Sequence, residues 1–227
     1  MFRLIIILGT VHYVDMIRRN LAALLREALT DTPAVLINGA RQTGKSTLVQ
    51  SGDLARENRQ YLTFDDPGLL AAAKRDPNGF IAGLNLPVTL DEIQHVPELF
   101  PAIKAAIDRN RQPGQFLLTG SANVMLLPRL SESLAGRMEV LTLWPFSQGE
   151  LRGVTENFVD NLFSTGRANW SSKGTLASWE ELLEIMVAGG YPPAVARHNP
   201  SRREAWFQSY VMTMLQRDIR DLASIAD

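Results

Sequence analysis

The stretch GARQTGKST, Gly39 to Thr47, stands between the apolar run AVLIN and the segment LVQSGDLA, and the fold turns on what it is. Gly39, Gly44, Lys45 and Ser46 occupy the fixed positions of the pattern G-x-x-x-x-G-K-[ST]. Glycines let the backbone turn its N–H groups toward one concavity, and the positive end of a following helix adds to the attraction for phosphate. Lys45 would reach the β- and γ-phosphates of a nucleotide, and the Ser46 hydroxyl would ligate Mg²⁺. The expected nucleotide-binding loop is therefore Gly39, Ala40, Arg41, Gln42, Thr43, Gly44, Lys45, Ser46 and Thr47.

Working outward, AVLIN is apolar without alternation, as expected of a strand buried on both faces of a parallel sheet. Before it, Ile17, Leu21, Leu24, Leu25, Ala28 and Leu29 recur at helical spacing, with Arg18, Arg19, Arg26 and Glu27 on the other face. This predicts an amphipathic helix from Met16 to the TDTP string. After the loop, STLVQSGDLA reads as helix, and QYLTFDD, LPVTLDEI, QFLLTGSA and VLTLWPF read as further strands with helical stretches between them. Strands separated by helices imply right-handed crossovers, hence an α/β three-layer fold with a mostly parallel sheet. Ligands of such sheets bind beyond the carboxyl ends of the strands. A polar, glycine-bearing insertion or lid follows from Gly153 to Thr175, and then the helices SWEELLEIMVAG and SRREAWFQSYVMTMLQRDIRDLASI. The expected organisation is an N-terminal extension over 1–15, a core over 16–150, and an insertion with a helical region over 151–227.

Asp91 and Glu92 end the apolar run VTLDEI. Beside a phosphate loop, Asp91 would hold Mg²⁺ and Glu92 would act as general base toward water. The strand QYLTFDD, placed between loop and carboxylates, favours hydrolytic chemistry over that of kinases and GTPases. An N-K-x-D string that would read guanine after the third strand is absent from the sequence, which leaves adenine as the expected base. Thr119, Ser121 and Asn123 in TGSAN place hydroxyl and amide groups where one could orient water, and ordinary turn chemistry accounts for them equally well. Arg137 is a candidate arginine finger, with a surface arginine before a strand as the alternative. Lys45, Glu92, Ser121 and Arg137 thus form the expected catalytic set, and Ser46 and Asp91 the metal ligands.

A formal charge of −1 over 227 residues presents no global basic field of the kind nucleic-acid binders commonly show, and an apolar fraction of 45% suffices for a core. Absence of cysteine removes disulfides and thiolate metal sites and fits a reducing compartment. The apolar run near the N-terminus is too short to span a bilayer, so a soluble, cytoplasmic protein with a short N-terminal strand or arm is expected, the other reading being a signal anchor.

NGARQTGKSTL, YLTFDDP, LDEIQHVP, LLTGSAN, LAGRMEVLTLWPFSQGEL, GGYP and RDIRDL together resemble the prokaryotic AAA-like ATPases, from about Met16 to the end of the chain. The resemblance implies Mg²⁺-dependent ATP binding and hydrolysis coupled to a conformational change. It also implies a C-terminal domain of undefined function, before which this chain looks truncated. The rival expectation is an ATP-binding interaction module with negligible turnover. Its partner would be a protein or, from the basic and aromatic residues of SRREAWFQSY, a nucleic acid; a solvated amphipathic helix also explains that string. A homo-oligomer is expected if Arg137 acts across an interface.

Overall fold

The computed structural model describes residues 3–7, 10–14, 17–51, 58–121, 134–163 and 178–225. At the N-terminus, β1 (Arg3–Ile7) and β2 (Thr10–Val14) pair antiparallel as a two-stranded sheet of their own. A five-stranded sheet follows, built from β3 (Ala34–Asn38), β4 (Gln60–Thr63), β5 (Val88–Asp91), β6 (Phe116–Thr119) and β7 (Met138–Thr142). Its order is β4-β5-β6-β3-β7, and every neighbouring pair runs parallel. All five expected strands are present, and β6 lies between β3 and β5.

Alternation within the strands sends side chains to two separate cores. Leu36, Leu90, Phe116 and Leu118 join one cluster, which takes in Ala73, Ile81, Ile103 and Ile107. Those four come from the helices Pro67–Arg75, Pro77–Ala82 and Leu99–Arg109. Val35, Ile37 and Leu117 face the other way, against Leu25, Leu29, Leu48 and Val49 of α1 (Leu21–Asp31) and α2 (Lys45–Val49). Helices on both faces of the sheet give the three layers.

Two helices depart from their expected extents. The first begins at Leu21 rather than Met16 because the preceding backbone is held elsewhere: the Asn20 N–H donates to Glu150 Oε1 at 2.6 Å. Its buried stripe is narrow, with Leu25, Ala28 and Leu29 inside and Leu24 exposed, and Arg19, expected on the polar face, is buried. The second ends at Val49, where the Ser51 hydroxyl and backbone N–H both donate to the Leu48 carbonyl and compete with helical bonding. Its expected continuation to Ala55 falls outside the described residues, as do Asn123 and most of the expected insertion.

The chain divides into two compact units: Met1–Trp144 with Glu150–Gly153, and Pro145–Gly149 with Val154–Asp227. The described elements of the second unit are helices. Ser178 and Glu181 form a reciprocal capping box that starts the helix Trp179–Ala188. On the long helix Pro200–Ile225, Trp206 stacks on Tyr210 with centroids 5.1 Å apart, and Tyr191 packs against both. Arg203 is buried and donates to Glu184 at 2.9 Å. The aromatic residues of SRREAWFQSY and one of its arginines are thus engaged within this unit. Arg202 remains exposed. Among the described residues no helix is long and apolar enough to cross a membrane.

Leu36 is fully buried in β3, between β6 and β7. Leu36→Ala should lower the unfolding free energy by about 2–5 kcal/mol, read from urea denaturation; a change well under 1 kcal/mol would mean the sheet is not packed as described.

Candidate functional site

The loop after β3 owes its shape to two glycines. Gly39 has φ 150°, and a Cβ there would stand 2.3 Å from the carbonyl oxygen of Leu143, just beyond β7. Gly44, at φ 97°, enters α2 from the left-handed region. Between them Gln42 is exposed, whereas Thr43 is buried with its hydroxyl donating to the Ala40 carbonyl at 2.9 Å. The Lys45 ammonium folds back over the loop and donates to the carbonyls of Gly39 and Ala40, both at 3.0 Å. Burial pushes its pKa down; the carboxylates of Glu92 and Asp91 oppose that shift.

Arg19 fastens this loop to its surroundings. Its guanidinium donates to the Thr43 carbonyl at 2.8 Å, to the Trp144 carbonyl at 2.5 Å and to Glu150 Oε1 at 3.2 Å. The pair is buried, with side-chain exposures of 8% and 6%, which makes it costly to break from either side.

Asp91 ends β5 inside the sheet and accepts hydroxyl donors from three elements. Ser46 Oγ donates to Oδ1 at 3.1 Å, Thr119 Oγ1 donates to the same oxygen, and the Tyr61 hydroxyl donates to Oδ2 at 2.7 Å. Burial, then the Asp91 hydrogen bond, pushes the Tyr61 phenol well above its ordinary pKa, so it remains a donor. Glu92 has left-handed backbone, φ 58° and ψ 44°, and its N–H donates to Thr119 Oγ1 at 3.1 Å. Such a conformation costs a non-glycine residue roughly 1–2 kcal/mol and persists where surrounding bonds hold it. The Glu92 carboxylate accepts a hydrogen bond from Gln94 Nε2. Ser121 is buried after β6, its N–H donating to Gln94 Oε1 at 3.2 Å and its Oγ without a hydrogen-bond partner among the described residues.

Lys45, Ser46, Asp91, Glu92 and Ser121 are thus gathered around the carboxyl ends of β3, β5 and β6. Arg137 is not. It precedes β7, and its carbonyl accepts the N–H of Ala34, the first residue of β3. The loop leaves from Asn38 at the other end of that strand, about 13 Å away at the usual rise per residue. Arg137 pairs instead with Asp108, Nε to Oδ1 at 2.5 Å and Nη2 to Oδ2 at 3.2 Å. Within its own chain Arg137 therefore stands apart from this site, at the amino end of β7.

Residues 31–152 match a family model described as an AAA domain, more than half of the 227 residues. The chain belongs to this AAA-domain family. A second model, a domain of unknown function, matches residues 179–227. Uncharacterised proteins of Mycobacterium tuberculosis and Mycobacterium bovis are each 34% identical to this AAA protein over 206 residues, covering 90% of the chain and 40% of their own lengths. The chain therefore spans less than half of those relatives. A Walker-type ATPase of Pyrococcus abyssi shares the fold at a TM-score of 0.52 and 16% identity, with 92% of this chain and 76% of that one covered. The AAA-like P-loop fold expected from the motifs is the fold of this chain.

Tyr61, Gln94 and Arg19 are site residues that sequence reasoning did not single out. Gln94 carried a faint signal, two residues beyond a candidate base; Tyr61 and Arg19 carried none, because strand order brings them in from far along the chain. Arg19→Ala removes the guanidinium from the buried Glu150 carboxylate and should lower stability by about 3–5 kcal/mol. A denaturation midpoint equal to the parent's would remove Arg19 as the fastening of the loop.

Proposed function

We propose that this AAA domain binds ATP with Mg²⁺ and hydrolyses the β–γ bond, with Glu92 as general base. The observation that carries the reading is the meeting of Lys45, Ser46, Asp91 and Glu92 around the ends of three strands. Lys45 supports it most directly. A buried ammonium satisfied by two loop carbonyls is a cation held in reserve, and phosphate oxygens would give it charged partners in their place.

The residues also fit a hard cation. Ser46 Oγ and Asp91 Oδ1 are oxygen donors 3.1 Å apart, the donor chemistry that Mg²⁺ takes. Ser46 and Asp91 would hold it, and the ion would neutralise charge on the phosphate oxygens. Tyr61 and Thr119 would keep the Asp91 carboxylate oriented. Glu92 would take the proton of an attacking water, and the buried Ser121 hydroxyl would help orient it. Adenine rather than guanine rests on the sequence, which lacks an N-K-x-D string.

The position of Arg137 favours a second reading. With that arginine paired to Asp108 at the amino end of the sheet, it stabilises no charge in its own chain's site, and arginine fingers supply factors of about 10³–10⁵ in related chemistry. A nucleotide-binding module that turns over slowly by itself would look the same.

Saturation with Mg²⁺·ATP at a hundred times the dissociation constant should add about 2.7 kcal/mol of stability, visible as a raised melting temperature. Lys45→Ala should abolish the gain. Glu92→Gln should keep it while phosphate release falls by roughly a hundredfold or more. Coincident melts with and without Mg²⁺·ATP would sink nucleotide binding, and equal turnover in Glu92→Gln would remove Glu92 as the base. Binding without phosphate release in the parent would favour the module.

A further inference from the structure

We propose that Gln94 is the positioning residue of the general base: its side-chain amide holds the Glu92 carboxylate and fixes that hold to the end of β6. The inference rests on the hydrolytic reading above and concerns how its base is aimed.

Gln94 sits in the short turn Ile93–His95 that follows Glu92, with Ile93 fully buried beneath it. Its two polar ends have different partners. Oε1 accepts the Ser121 backbone N–H at 3.2 Å, and Nε2 donates to Glu92 Oε2. Chemistry fixes the direction of the amide. A backbone N–H only donates, so the amide oxygen must face Ser121; an ionised carboxylate only accepts, so the NH₂ must face Glu92. One rotamer of one side chain satisfies both at once.

Glu92 needs such a holder. Its left-handed backbone is pinned through the Thr119 hydroxyl, yet three side-chain torsions lie between that backbone and the carboxylate. Among the described residues Gln94 is the one group hydrogen-bonded to this carboxylate. It engages Oε2 and leaves Oε1 to accept a proton from water. The same strand end also sets the metal carboxylate, since Thr119 Oγ1 donates to Asp91 and Ser121 lies two residues further on. Base and metal ligand are therefore measured from one segment of backbone, and Gln94 is the piece that carries the measurement to Glu92.

Gln94→Glu gives the discriminating test. It keeps the shape and the acceptor for Ser121 but replaces the donor toward Glu92 with a repelling oxygen. With the full chain and Mg²⁺·ATP, Gln94→Glu and Gln94→Ala should each lower kcat by about a hundredfold, the scale of a misplaced catalytic group, with KM within about threefold of the parent. A second readout is independent of turnover. The side-chain NH₂ signal of Gln94 in a proton–nitrogen NMR spectrum, assigned by its loss in Gln94→Ala, should move in Glu92→Ala. Parent-like kcat in Gln94→Glu would overturn the proposal, as would an NH₂ signal unmoved in Glu92→Ala. Phosphate release absent from the parent would refute the hydrolytic reading and not the hold on Glu92, which the NH₂ signal then decides.

Discussion

A carboxylate buried in the carboxyl edge of a sheet must be surrounded by donors, and Asp91 is the group on which the rest of this site depends. Its exposure is 3%, and it takes hydroxyls from Ser46, Thr119 and Tyr61. An unpaired charge in that place would cost several kcal/mol. The three donors belong to the helix after the phosphate loop, the strand inserted beside it and the edge strand. Satisfying one carboxylate therefore fixes the relative placement of three elements. Thr119 does a further service, because its oxygen also receives the Glu92 N–H and so stabilises a backbone conformation that glutamate does not adopt readily.

Local features were legible in the sequence. The strand AVLIN, the glycine-lysine-serine loop and the carboxylates of VTLDEI each declare themselves within ten residues, through periodicity or motif spacing. What the register of the sheet decides was not legible. Tyr61 meets Asp91 because β4 pairs with β5, and Thr119 meets it because β6 pairs with β5 on the other side. Arg19 meets Glu150 across 131 residues. Arg137 shows the converse: it follows in sequence a strand that ends at the site, yet it lies at the start of the next parallel strand, beside Ala34 at the opposite edge of the sheet. In the helical unit, the contacts that the basic and aromatic letters make with one another were not legible either. Arg203 meets Glu184, and Trp206 meets Tyr210 and Tyr191.

Two different physical economies coexist around the phosphate loop. Arg19 acts by fixed hydrogen bonds to carbonyl groups of the backbone, so the same contacts serve whatever the loop holds. Lys45 sits under tension between burial, which disfavours its charge, and the carboxylates nearby, which favour it. The first arrangement gives the loop its shape. The second keeps a buried cation against it.

Gly39 separates these two demands in a way that bears on how variants of this chain should be interpreted. A side chain at that position collides with the Leu143 carbonyl whether or not any nucleotide is bound. The glycine would thus persist in a descendant that had lost its ligand, sheltered by the architecture alone. Lys45 has no such shelter: a buried ammonium held by two carbonyls is easily exchanged for an apolar residue once phosphate recognition is no longer selected. Retention of the lysine, and not of the glycine, is what distinguishes a working loop from a relic of one.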